Sequence, residues 1–443
     1  MYYKNPQEHL NMYTTLDDWI ARDAIPFTVD SPASIDAAVD QVMGALGGSV
    51  ELLGFGEALH GSEEILIVRN RVFQRLVEAH GFSAAVIEVT SPQARAMNDY
   101  VLGVRDRTDE AVQTWFGSGF GLLDANRELI EWMRQYNDDP AHPLKLHFYG
   151  FDLPLGQGGL ASPSRVLDVA LDYLDSIDSV SARTHLERMT PLIGDPADWE
   201  RSAAMFDPAQ SIGLSPAATG LRIATQDLIT ELGIRRPELV AKSDRLAFAD
   251  AYHYARLAQK LLSAHAALAT EGAYAQMLGI RDLIMAGNLQ YYISRERGRG
   301  KVLVFSASGH LQRSLAQWHL PPGDAVKEWW PAGSQLTQTL GSRYAVIAMA
   351  LGVSEENGIG QPEPGTLEAR LTEAGRAMFI PTHRGQGMPT AAIEALPRRS
   401  GSTLNPTYFP LSAQSFTDFD WLVVFNSTTY PRGGPSLTNW NAG

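Results

Sequence analysis

The residues best placed for chemistry sit in "ELLGFGEALHGSEE", residues 51–64, where an apolar run ends in Gly54 and Gly56 and is followed by Glu57 and His60, three residues apart. Two chemistries compete for such a loop. Glycines between a strand and a helix can bring backbone N–H groups against a phosphate. A carboxylate beside a histidine can instead orient the ring as a general base. The phosphate reading meets obstacles in the residues themselves: the third glycine of a dinucleotide fingerprint is Leu59, and Glu57 and His60 would repel and crowd a pyrophosphate. No phosphate-binding G-x-x-x-x-G-K-[ST] is present, since "GRGKV" carries Val after its lysine, and no G-x-S-x-G elbow offers a nucleophilic serine. The acid–base reading survives.

The elements that must position this pair are visible as short apolar runs rich in β-branched residues: "SVELLGF" (49–55), "AAVIEV" (84–89), "LKLHFYGF" (144–151), "KVLVFS" (301–306), "YAVIAMA" (344–350) and "DWLVVFN" (420–426). Runs that are apolar on both faces read as parallel strands covered by helices. The expected fold class is therefore α/β, a largely parallel central sheet flanked by helices, with a helical insertion. Residues 1–153 and 298–443 are expected to form the α/β core that carries the site. The stretch "PLGQGGLASPS" reads as a linker, and 154–297 as a mostly helical insertion or lid walling the cleft. Open parallel sheets build their sites at the carboxyl ends of the strands, and Glu57, His60, Glu88, Asp152 and His310 all fall at or just past such ends.

Helical periodicity adds polar groups on buried faces. In "SEEILIVRNRVFQRLVEAH", Arg69 lies within the apolar arc of Ile65, Val68, Val72, Leu76, Phe73 and Leu66. A guanidinium there needs a partner, and Glu57 or Glu88 is the expected one. In "IRDLIMAGNLQYYI", Arg281 and Asn288 share a face with Ile284, Met285 and Tyr292, which suggests a polar network under the site. Trp115, Phe116 and Trp132 are candidate aromatic liners.

Composition excludes several function classes. The net charge of −14 and the absence of a basic run speak against nucleic acid and anionic membranes. Without cysteine there is no thiolate metal site, disulfide or cysteine nucleophile, and none of the eleven histidines forms a tight ligand pair, so neither metal nor cofactor is expected. A divalent ion held jointly by Glu57, His60, Glu88 and His310 remains an open variant. The start "MYYKNPQEHL" lacks the apolar segment of a signal peptide, so the expected location is the cytoplasm. The expected partner is a large, apolar small molecule.

"GEALHGSEE" with "NRVFQRLVEAHGFSAAVIEV" resembles the erythromycin esterase family, and the likeness continues through "FYGFD", "IRDLIMAGNLQYYI", "SGH" and "FDWLVVFNST". The resemblance implies serine-independent hydrolysis of a macrolide-like ester or lactone, a chemistry of antibiotic resistance or secondary-metabolite metabolism. It places His60 as the general base, with Glu57, Glu88, Arg69 and His310 as its catalytic company and Glu64 among the substrate-binding residues. One position departs from the family. Members that open macrolides usually read W-A-H-N-x-H where this chain reads "FSASGH", so Ala307 stands in place of a histidine. A non-hydrolytic tailoring enzyme and a silent small-molecule binder are the alternatives.

Overall fold

The computed structural model describes residues 12–106, 116, 120–156, 158–320 and 325–435. Its centre is an eight-stranded sheet in the order β1-β9-β10-β8-β2-β5-β3-β4. The strands are β1 (Ile25–Pro26), β2 (Leu52–Glu57), β3 (Phe82–Thr90), β4 (His147–Asp152), β5 (Lys301–Ala307), β8 (Tyr344–Val353), β9 (Met378–Pro381) and β10 (Trp421–Ser427). From β10 to β4 all neighbours run parallel, and only β9 and β1 pair antiparallel at one edge. A separate hairpin joins β6 (Ala316–Leu320) to β7 (Ala325–Trp329). All six apolar runs read in the sequence are strands of the sheet. The antiparallel strands β1 and β9 and the hairpin escaped that reading because they are short or half exposed, without a long two-faced apolar run.

Alternation along each strand divides the core. Leu53, Phe55, Ile87 and Phe305 face one layer, which holds the helices Pro32–Leu46, Glu63–His80 and Asp124–Asp138. Leu52, Val86, Val304 and Val346 face the other, with the helices Tyr274–Glu296 and Ala332–Leu340. The helices of residues 164–268 have a further core of their own. The helix Tyr274–Glu296 bridges the two regions, giving Met277 and Leu278 to the helical core and Met285 and Leu289 to the sheet.

The glycines of the opening motif serve packing. A Cβ on Gly56 would stand 2.7 Å from the Ser308 Oγ and 3.0 Å from the Ser308 Cα, so only glycine lets the end of β5 close over β2. The Ser308 hydroxyl then donates to the Glu57 carbonyl at 3.0 Å, tying the two strand ends together. From β2 the chain crosses over β5 to reach β3, and from β5 it crosses over β2 to reach β8. The two strands therefore flank a topological switch point, where a crevice opens beyond their carboxyl ends.

Candidate active site

That crevice is a cleft of about 770 Å³. Glu57 and His60 lie on the wall formed where β2 runs into the helix Glu63–His80, and the His60 Nδ1 is 2.6 Å from the Glu57 Oε1. Phe120 meets the imidazole edge to face with centroids 5.5 Å apart. Burial works against the imidazolium, but the Glu57 carboxylate, by charge and hydrogen bond, with Glu88 behind it, outweighs burial and lifts His60 to about 9. Burial also raises the Glu57 carboxyl. The pair therefore holds its shared proton more tightly than either group would in water.

Glu88 owes its position to an irregularity. β3 and β4 pair in register up to Ile87 with Gly150 and resume at Thr90 with Asp152, so β3 bulges at Glu88 and Val89 and turns the carboxylate toward the cleft. Its oxygens accept from the Arg281 Nη2 at 2.9 Å, the Ser306 hydroxyl at 2.7 Å and the Ala307 N–H at 2.9 Å. Burial opposes its charge, but His310, His60 and Arg281 together outweigh burial and hold it at about 2. Arg281 also clamps Asp152 through its Nε and Nη2, both at 2.8 Å. His310 lies behind this cluster, its Nε2 3.5 Å from Glu88 and its Nδ1 2.9 Å from the Asp282 Oδ1. Asp282 is itself held by the Ala332 N–H at 2.8 Å and by the Trp329 indole.

Arg69 departs from expectation. It is buried, as its place on the apolar arc implied, but it pairs with neither Glu57 nor Glu88. Its donors go to amide oxygens: Nε and Nη2 to Asn70 at 3.0 and 2.7 Å, Nη1 to Asn126 at 2.8 Å, and Nη2 to the Ala125 carbonyl at 3.5 Å. The Phe305 ring lies beneath it at 4.9 Å. The two carboxylates had already been taken by His60 and Arg281, so the guanidinium is solvated by neutral dipoles instead. Burial lowers it to about 10, with Glu57 the opposing charge.

Other expected site residues scatter. Glu57, His60, Arg69, Glu88, Asp152, Arg281 and Phe116 line the cleft, whereas His310 stands behind Glu88. Asn288 lies elsewhere, donating to the Phe151 carbonyl at 2.8 Å and the Ser91 hydroxyl at 3.1 Å, because it sits two turns down the helix from Arg281. Glu64 is committed to Thr429, through the backbone N–H at 2.7 Å and the hydroxyl at 2.9 Å. With Glu63, which holds Arg432, it ties down the segment whose Pro435 reaches the cleft. Trp132 packs on Phe73 and Tyr136 away from the cleft lining, and Trp115 lies outside the described residues. The stretch read as a linker is a packed wall: Leu155 bridges Leu160, and Gly156, Gly158 and Gly159 line the cleft beside residues 200–202.

Asn70, Asn126 and Asp282 were missed by sequence reading. Asn126 and Asp282 carried the signal that identified Arg69: Asn126 shares its buried stripe with Leu129, Ile130 and Met133, and Asp282 with Met285 and Leu289. Among the described residues, no group of three or more His, Asp and Glu side chains is arranged to hold a metal ion, and no helix is long and apolar enough to cross a membrane.

A family profile described as erythromycin esterase matches residues 77–428. The chain belongs to the erythromycin esterase family. An Escherichia coli protein named erythromycin esterase type II is 20% identical over 352 residues, covering 77% of each chain. Among solved structures, a Bacillus cereus protein superposes with a TM-score of 0.74 at 19% identity, over 95% of this chain and 98% of the other. A succinoglycan biosynthesis protein gives 0.70 at 17%, over 94% and 97%. A mutant of the erythromycin esterase EreC in its open conformation gives 0.68 at 18%, over 92% and 98%. At these identities the structural likeness is one of fold. Within this erythromycin esterase fold, Ala307 at the end of β5 uses its backbone N–H to hold Glu88.

Proposed function

We propose that the protein is a serine-independent hydrolase of an ester or lactone in a polyketide- or macrolide-like small molecule, with His60 as the base that activates water. The observation that carries this reading is the His60–Glu57 pair, 2.6 Å apart, on a cleft whose described lining residues include no serine and no other imidazole. Glu57 binds Nδ1 and leaves Nε2 to take a proton from water. The hydroxide oxygen then bonds to the carbonyl carbon, and the tetrahedral oxyanion gathers against Arg69, which among the described residues hydrogen-bonds no carboxylate. Collapse breaks the bond to the alcohol oxygen, which takes the proton back from His60, leaving a carboxylic acid and an alcohol. Glu88, Arg281 and Asp152 form a fixed floor, and the Glu88 charge helps hold the proton on His60. Ile87, Phe116, Phe305 and Met205 supply apolar wall for a large substrate.

The test is mass spectrometry in ¹⁸O-water across a panel of macrolides and simpler lactones, with His60→Ala alongside. One labelled oxygen in a ring-opened product, lost in the variant, is the expected result. A product of unchanged mass, or one that has lost water, would replace hydrolysis by a tailoring reaction. That second reading draws on His60 itself, which at about 9 is an imidazolium at neutral pH and so equally an acid.

A further inference from the structure

The chain is acidic overall, with a net charge of −14, yet it contains a large groove whose described lining residues include several cations and no carboxylate. The groove, about 1220 Å³, runs over the helices Arg236–Lys242, Arg245–Leu268 and Tyr274–Glu296. Its cations are Arg236, Arg245, Arg256, Lys260, Arg295 and Arg297. Arg295 is neutralised by Asp250 at 2.7 Å, and Arg297 reaches Glu51 at 3.8 Å. Among the described residues the other four have no acidic partner. The mutual repulsion of these like charges works against the fold.

The cations are also oriented. Arg236 lies 5.7 Å over the Phe248 ring, Arg256 6.0 Å over Tyr252 and Arg295 5.8 Å over Tyr291, which rests these guanidiniums against aromatic faces at the groove wall. Lys260 crosses to the neighbouring helix, where its Nζ stands 2.6 Å from the place a Cβ on Gly287 would occupy. Glycine in mid-helix costs about 1 kcal/mol against alanine, and here it makes room for an ammonium. Burial and Arg256 lower that ammonium to about 8, the signature of a cation lacking a counter-charge. From Arg245 to Lys260 the charges extend along about 22 Å of helix.

We propose that this groove binds a multivalent anion, a molecule bearing several carboxylate or phosphate groups along an extended length. Leu283, Gly287, Gln290 and Ser294 of the helix Tyr274–Glu296 face the groove, while Arg281, about half a turn away, faces the cleft. The two sites are therefore separate, and this inference stands apart from the hydrolase reading.

Isothermal titration of the full chain with inorganic tripolyphosphate and with a galacturonate hexamer, at low and at physiological salt, tests it. A neutral maltohexaose and a DNA oligomer serve as comparisons. The expected result is binding of at least one of the two anions, weakened by salt, with the better one showing whether phosphate or carboxylate is read. The double variant Arg256→Glu/Lys260→Glu should bind it about tenfold more weakly or worse, while Arg183→Glu, an exposed arginine on another helix, should bind as the native chain does. Should the double variant fail to fold, Arg236→Gln/Arg245→Gln, at exposed positions, gives the same readout. Binding of neither anion, indifference to the groove substitutions, or tighter binding of the DNA oligomer would overturn the proposal.

Discussion

Arg69 and Arg281 are the same residue type, both line the cleft, and both sit on helix faces that the sequence pattern marks as apolar, yet their surroundings are opposite. Arg281 lies between two carboxylates, and although burial opposes its charge, Asp152 and Glu88 outweigh burial and raise its pKa. Arg69 is held by two asparagine side chains, a carbonyl and an aromatic face, and its pKa is lowered. The first is a closed electrostatic unit with little left to offer a substrate. The second is a cation positioned by neutral groups, and its charge is available to an anion that forms beside it. Which arginine stabilises a transition state is thus decided by which one its neighbours leave uncompensated.

Removing each charge should separate the two roles. Arg69→Met is expected to lower kcat by about 10²–10³-fold, the range for loss of an oxyanion donor, with thermal stability little changed, because removing a buried charge that hydrogen-bonds no carboxylate offsets the hydrogen bonds lost at Asn70 and Asn126. A variant that melts early while keeping its kcat would reverse that assignment. Arg281→Met should do the opposite, lowering unfolding free energy in a denaturant titration by about 3 kcal/mol as Glu88 and Asp152 lose their shared partner. That is the lower end for a buried pair, since 26% of the Arg281 side chain still meets solvent.

The smallest effect sharpens the picture at His60. Its pKa is raised from the ordinary 6.5 to about 9, so its contribution to stability is fully present below 6.5 and fades as pH rises through 9. Over the same interval kcat/KM for hydrolysis should rise, because only the neutral ring accepts a proton. Glu57→Gln removes the first charge holding that proton, and the midpoint of the residual pH–rate profile should fall toward 6.5 or below. A midpoint that stays near 9 would assign the shift to Glu88 instead.

Much of this protein follows from local pattern alone. Apolar runs with β-branched residues must be buried on both faces, which fixes them as parallel strands under helices, and the sheet's carboxyl ends then define where Glu57, His60, Glu88 and Asp152 gather. The buried position of Arg69 is equally local, a matter of 100° per residue. Partnership is not local. That Glu88 takes Arg281 from a helix 193 residues away, leaving Arg69 to Asn70 and Asn126, depends on a bulge in β3 and on how two helices approach the sheet from opposite faces. The fate of Glu64 and Asn288, and the gathering of unpaired cations along the outer helices, likewise depend on distances between elements that no single stretch of chain encodes. Periodicity determines which side of an element a residue occupies, whereas the strength of a charge depends on every other charge within a few ångströms, and only the tertiary structure sets those.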